Sequence, residues 1–227
     1  DVGVDELLQA LAEYAPAPAD IPRIGRRDSD EEVTLDQVAG GDLVAQIFKT
    51  RIDPFVSKMS FVRVFAGTLQ KDSTVHVSRL GKGIKISQLL SIQGAQQDAV
   101  DTAVAGEIVA LVKMDDLKVS DTLAASNAVT LPPISFPEPM VGLAVEPKSR
   151  ADQTKISGAL QKIEDEDPTF RLNREAQTKE MVMLGMSALH LQIIQERLAS
   201  RDKVEVVTRE PKIPYRETVN GAAEGSY

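Results

Sequence analysis

A chain of 227 residues, 42% hydrophobic and 26% charged, is long enough for two domains of about 100 residues each, and its lack of cysteine excludes disulfides, thiolate chemistry and cysteine-based zinc sites. No apolar run approaches the roughly 18 residues of a membrane span, no signal peptide opens the chain, and His76 and His190 lie too far apart in sequence to suggest a histidine metal site, so a cytoplasmic protein with no membrane partner is expected. The net charge of −8 is unevenly spread, with 11 acids against 3 bases in 1–42, 8 against 10 in 43–131 and 14 against 13 in 132–219, so neither later region repels a polyanion as a whole.

Val4, Leu7, Leu8, Leu11, Ala12 and Ala15 recur at the spacing of a short amphipathic helix, with Asp5 and Glu6 suited to its first turn. It stops at Ala15-Pro16-Ala17-Pro18, and a helix this short is marginal alone in water, so its stripe expects a neighbour. Ala19 to Gly41 is polar, acidic and broken by Pro22, Gly25, Gly40 and Gly41, and reads as a linker or exposed loop.

In the next stretch, Phe61, Arg63 and Phe65 fall on one side of an extended chain and Ser60, Val62, Val64 and Ala66 on the other, a strand covered on both faces. The apolar run Leu43 to Phe48 should pair with it across a connection near Asp53 to Lys58. Extended segments at 43–49, 59–66, 73–79, 84–92 and 107–113, with no helix between them, predict a closed antiparallel barrel. Gly81-Lys82-Gly83 lacks the full phosphate-loop spacing and is flanked by strand on both sides, so it reads as a hairpin turn.

Prolines at 132, 133, 137 and 139 make a stiff joint and place a domain boundary there. Beyond it the pattern gives strand 140–145, helix 150–164, strands 169–174 and 179–184, helix 187–200 and strand 203–208, the βαββαβ order of a ferredoxin-like plait. Ile156, Leu160 and Ile163 form a one-sided stripe on the first of these helices. The second spreads Leu189, Leu191, Ile193, Ile194 and Leu198 over roughly 200°, about twice what packing on one sheet needs, with His190 mid-arc. One flank should meet the helix's own sheet and the other a separate partner; ordinary core with His190 hydrogen-bonded inside it is the alternative.

Several motifs resemble translation elongation factor G in the order that family has them. They are Gly3-Val4-Asp5-Glu6-Leu7-Leu8 through Tyr14-Ala15-Pro16; Phe48-Lys49 with Asp53-Pro54-Phe55; Phe61 to Leu69; Ala105-Gly106-Glu107-Ile108-Val109; Glu166-Asp167-Pro168-Thr169-Phe170; Gly185 to Leu191; and Tyr215-Arg216-Glu217-Thr218. The resemblance implies the last helix of a GTPase domain with a linker over 1–42, an all-β translation-factor barrel over 43–128, a ferredoxin-like domain over 129–219 and the start of another domain over 220–227. It also implies that GTP and magnesium are held by a preceding GTPase domain, so that these residues carry no cofactor and no catalysis of their own. The partners it implies are the ribosome, through RNA and protein, and the parent's own GTPase domain; a monomer is expected.

On that resemblance the helix bearing His190, Ile194 and Arg197 matches the surface that faces the GTPase domain, where fusidic acid wedges. Arg51, Lys58, Arg63, Lys82 and Lys85 are the candidate phosphate contacts on the barrel. Two departures point to a divergent relative. Ser57 stands where the family has glycine, and Ser187-Ala188 replaces Gly-Glu, although Ser187 retains a hydroxyl able to cap the helix. A ribosomal protection or recycling factor shares this barrel and plait. A self-contained enzyme would have to use the acidic run Glu164 to Asp167, which reads better as a solvated turn, and a stand-alone oligonucleotide-binding barrel would need exposed aromatics for stacking, of which the chain has few.

Overall fold

The alternation in Ser60 to Ala66 has the expected consequence: Val62 and Val64 are fully buried on one side of a strand, while Phe61, Arg63 and Phe65 are partly covered on the other. The structure, a computed structural model, describes residues 2–27, 29–53, 57–126, 129–215, 221 and 224–225. The motif residues Pro54, Phe55 and Arg216 to Thr218, and most of 220–227, lie outside them, as does the side chain of Ser57. Two compact units divide the chain, 1–135 and 136–227.

The first unit opens with helix α1 (Val4–Tyr14), whose Val4, Leu7, Leu8 and Leu11 are all exposed. Ala19 to Gly41, read as linker or loop, instead contains a two-stranded antiparallel ribbon, β1 (Ile24–Arg26) and β2 (Glu32–Thr34). Leu35 just after it is buried with Val44, Ala66 and Leu131, so this stretch is sewn to the unit by a small apolar cluster that its acidic composition conceals.

The barrel strands are β3 (Val44–Asp53), β4 (Ser57–Ala66), β5 (Thr68–Gln70), β6 (Thr74–Val77), β7 (Lys82–Lys85), β8 (Leu89–Gln93), β9 (Gln96–Val100), β10 (Thr102–Val104), β11 (Ile108–Val112) and β12 (Thr122–Ala124). Eight form one antiparallel sheet in the order β7-β6-β12-β3-β4-β11-β8-β9, and β5 pairs with β10. Ala45, Ile47, Val62, Leu69, Val75, Leu89, Ala103, Leu111 and Leu123, drawn from strands of both sheets, fill one common core. The predicted pairing of the first two strands holds from Val44 opposite Ala66 to Asp53 opposite Ser57, with register shifts at Val44/Ala45 and at Ile47/Lys49. The predicted strand 84–92 is two strands, divided at Ile86 to Gln88, because the chain changes partners there: β7 pairs with β6, and β8 with β11 and β9. The hairpin expected at Gly81-Lys82-Gly83 is present but its turn lies earlier, over Ser78 to Gly81 with Gly81 left-handed at φ 61, while Lys82 and Gly83 already pair with Val77 and His76 in β7.

The second unit is the plait: β13 (Val141–Pro147), α2 (Arg150–Glu166), β14 (Arg171–Arg174), β15 (Met181–Gly185), α3 (Ala188–Arg197) and β16 (Val206–Arg209), with sheet order β14-β15-β13-β16. Ser149 caps α2 by accepting the Asp152 N–H, and Ser187 caps α3 by accepting the His190 N–H at 3.1 Å. Ile156, Leu160 and Ile163 of α2 and Leu191 and Ile194 of α3 meet Phe170 and Met183 in a single core. After Arg197 the helix loosens into a π-helical turn over Leu198–Asp202, so the predicted helix 187–200 ends three residues early as regular α-helix. Among the described residues no helix is long and apolar enough to cross a membrane.

Candidate functional site

The register shift at Ile47/Lys49 positions the barrel's most distinctive surface. Ile47 points into the core opposite Val62, and Lys49 then faces Phe61, so the extra residue Phe48 and its neighbour Lys49 both emerge on the outer side. Phe48 lies 6.4 Å from Phe61 between ring centres, and the Lys49 ammonium sits 5.4 Å from the Phe61 ring. Four residues along β4, the Phe65 ring is flanked by two guanidinium groups, Arg23 at 5.3 Å and Arg63 at 5.8 Å. Arg51, exposed, stands opposite Met59 on the same side of the sheet as Lys49. Lys49 is exposed while Arg23, Arg63 and the Phe61 and Phe65 rings are half-buried, and each cation over a ring contributes about 0.5–1 kcal/mol or somewhat more, without being neutralised. The outcome is an outward face of four cations interleaved with three rings.

The five predicted phosphate contacts fall in three different places. Arg51 and Arg63 belong to this face. Lys58 does not: it is 4% exposed, and its ammonium donates to the Asp115 carbonyl at 3.1 Å, so it is a structural side chain, and its place on an inward position of β4 is the reason. Lys82 and Lys85 of β7 pair with Asp116, beyond β11, at 3.4 Å and with Asp72, in the β5–β6 turn, at 2.8 Å, both exposed pairs. The hydrogen bond from Lys85 holds the Asp72 carboxyl below its usual range. Arg23, Phe48 and Lys49 were missed. Cross-strand pairing with the bulge counted would have found Lys49, whereas Arg23 reaches Phe65 from a segment read as linker.

On the plait, Ile194 is 1% exposed in the domain's own core, which removes it from the outward flank of α3. Leu191, Ile194 and Leu198 form the inward stripe; Leu189, 64% exposed, and Ile193, 40% exposed, form the outward pair, and Arg197 is exposed beside them. His190 is committed within the plait. Its Nδ1 accepts the Met186 N–H at 3.1 Å, so the proton is on Nε2, which donates to Asp167 Oδ2 at 2.9 Å. The acidic run is not a solvated turn throughout: Glu164 accepts the Leu172 N–H, Glu166 meets Arg201 at 2.6 Å and Asp167 holds His190 and Thr169.

Comparison with known proteins accords with this geometry. Residues 42–126 match the family profile described as Elongation factor G domain 2, and residues 136–210 match that of Elongation Factor G, domain III. A crystal structure of a protein from Thermus thermophilus superposes over 94% of this chain with a TM-score of 0.77 and 28% identity. The chain spans 30% of the length of that protein.

Proposed function

The chain belongs to the elongation factor G family, and from that premise we propose that it is the central, ribosome-contacting part of a translational GTPase of that type. In this reading the barrel docks on ribosomal RNA through Arg23, Lys49, Arg51 and Arg63, with Phe48 able to stack on an unpaired base. The plait transmits the nucleotide state of a GTPase domain to the ribosome during translocation, with Leu189, Ile193 and Arg197 as its docking flank and the proline-rich stretch 131–139 as the joint. The exposed apolar stripe of α1 fits the last helix of that GTPase domain. In this reading GTP and magnesium are held by that domain, and Gly81 to Gly83, which leads from a turn into β7, takes no part in binding them. Such a protein works in the cytoplasm, where ribosomes are.

The observation that carries the proposal is the cation and ring face on β3 and β4 of a barrel that has this family's sequence. Co-sedimentation of the 227-residue chain with small ribosomal subunits over a series of salt concentrations tests it. Saturable pelleting that falls steeply with salt is expected, because phosphate contacts release counterions, and Lys49→Glu/Arg51→Glu should abolish it. Equal pelleting of that variant, or tighter binding of a plain single-stranded oligonucleotide at physiological salt, would contradict it and favour a stand-alone oligonucleotide-binding barrel.

A further inference from the structure

The plait has a cavity of about 390 Å3 at one end of its sheet, which the ribosome-docking reading does not use. Four cations and two carboxylates line it: Arg174, Lys179, Arg209 and Lys212 against Glu146 and Glu180. Both carboxylates are already engaged. Arg209 Nη2 donates to Glu146 Oε1 at 2.6 Å, and Arg209 Nη1 pairs with Glu180 Oε1. Glu180, 8% exposed, also accepts the Lys212 N–H at 2.9 Å and the Thr178 hydroxyl at 3.1 Å. The Lys212 N–H is the largest influence holding the Glu180 carboxyl below its ordinary range.

The cations are in excess by two. Arg174, which ends β14, and Lys179 are both exposed, and among the described residues neither is in an ion pair, while the Lys212 ammonium is a loose 3.9 Å from Glu180. Lys179 is also held in a conformation that disfavours it. The turn is closed by the Glu175 N–H to the Glu180 carbonyl and the Lys179 N–H to the Glu175 carbonyl, each 2.9 Å, and it places Lys179 at φ 61, where glycine or asparagine costs less. A lysine kept at a left-handed position on the rim of a positively charged cavity is a local cost without a local return.

We propose that this cavity binds a phosphate-bearing polyanion. Arg174, Lys179 and Lys212 make the contacts, and Arg209, clamped between Glu146 and Glu180, is the fixed floor. An excess of two positive charges suits a doubly charged group better than a single carboxylate, and the planar fork of Arg174 suits the paired oxygens of a phosphate. The volume admits more than one phosphoryl group, so the same chemistry serves the backbone of a folded RNA or a free polyphosphate.

Calorimetric titration of inorganic tripolyphosphate into the full 227-residue chain tests the proposal. One saturable site that weakens with added salt is expected, with affinity falling tenfold or more in Arg174→Ala/Lys179→Ala and unchanged in Lys71→Ala/Lys162→Ala, both exposed and away from either surface. Lys179→Gly provides a second check: it relaxes the turn, so thermal stability should hold or rise while affinity falls. Absence of a saturable site, or equal affinity in the plait variants and the wild type, overturns the proposal. Repeating the titration with a structured RNA hairpin separates the sources. A parallel loss in the plait variants identifies an RNA backbone, and loss with tripolyphosphate alone identifies a free polyphosphate. Ribosome pelleting depends on the barrel variants, so failure there and failure here are distinguishable.

Discussion

His190 Nε2 donates to Asp167 Oδ2 at 2.9 Å, tying the first turn of α3 to the residue that ends α2. Burial pushes the Asp167 carboxyl up, but hydrogen bonds from the Thr169 hydroxyl, the Thr169 N–H and His190 together outweigh it, and the carboxyl is held below its ordinary range. A folded-state value below the unfolded value of about 3.9 means the stabilisation is complete above that pH and is lost as pH falls through the folded value. The urea midpoint should therefore drop on acidification from about pH 5 toward about pH 2 partly through this group, and Asp167→Asn should flatten that part of the curve. His190→Ala should cost roughly 1.5–3 kcal/mol at neutral pH, as expected for a hydrogen bond to a charged partner. An unchanged acid profile in Asp167→Asn would show that the pair contributes nothing.

Two left-handed glycines of the barrel should respond differently to a methyl group. At Gly67, φ 70, a Cβ would stand 2.6 Å from both the Gly41 carbonyl oxygen and the Leu43 nitrogen, which are backbone atoms that cannot swing aside. At Gly81, φ 61, it would meet nothing within 4 Å. Gly81→Ala should thus cost about 1–2 kcal/mol for the left-handed conformation alone, and Gly67→Ala distinctly more. Urea denaturation of both variants decides, and equal losses would mean that the approach of β2's following segment to Gly67 is not fixed.

The buried and exposed cations of the barrel should separate in the same way. Lys58→Ala removes a buried donor from the Asp115 carbonyl and should lower stability by about 1–3 kcal/mol, with ribosome binding of the folded fraction preserved. Arg51→Ala, on the exposed side, should leave stability within about 0.5 kcal/mol and weaken binding. The reverse pattern would invert the two assignments.

On α3 the outward pair is dispensable for folding and the inward stripe is not. Leu191→Ala should destabilise the plait by about 2–5 kcal/mol, whereas Leu189→Ser and Ile193→Ser should stay within about 0.5 kcal/mol by thermal melting. Large losses in either serine variant would show that the flank is already covered.

These elements are legible in the sequence where side chains alternate or recur strongly, and hidden where backbone pairing holds the strand. The strand at Ser60 to Ala66, both plait helices and the βαββαβ order were legible because each buries a regular apolar pattern. β9, Gln96–Val100, was not, since it is a polar strand, exposed through Ala99, that is held by its ladder with β8. The ribbon of β1 and β2 was hidden by an acidic composition and revealed by the burial of Leu35. Ile194 illustrates the limit on the site: an arc of roughly 200° shows that a helix has two apolar flanks, but the fold decides which flank each residue joins. Lys58 illustrates the converse, a cation whose strand position turns it inward.

Because the chain contains no cysteine, one introduced thiol carries a tethered probe without ambiguity, and this gives the most direct test of the barrel face. A hydroxyl-radical source attached at Arg51→Cys, on the outer side of β3, should cleave small-subunit ribosomal RNA in the bound complex, and the same source at Ala95→Cys, on the exposed β8–β9 turn, should cleave it far less. Stronger cleavage from position 95 than from position 51 would contradict the account.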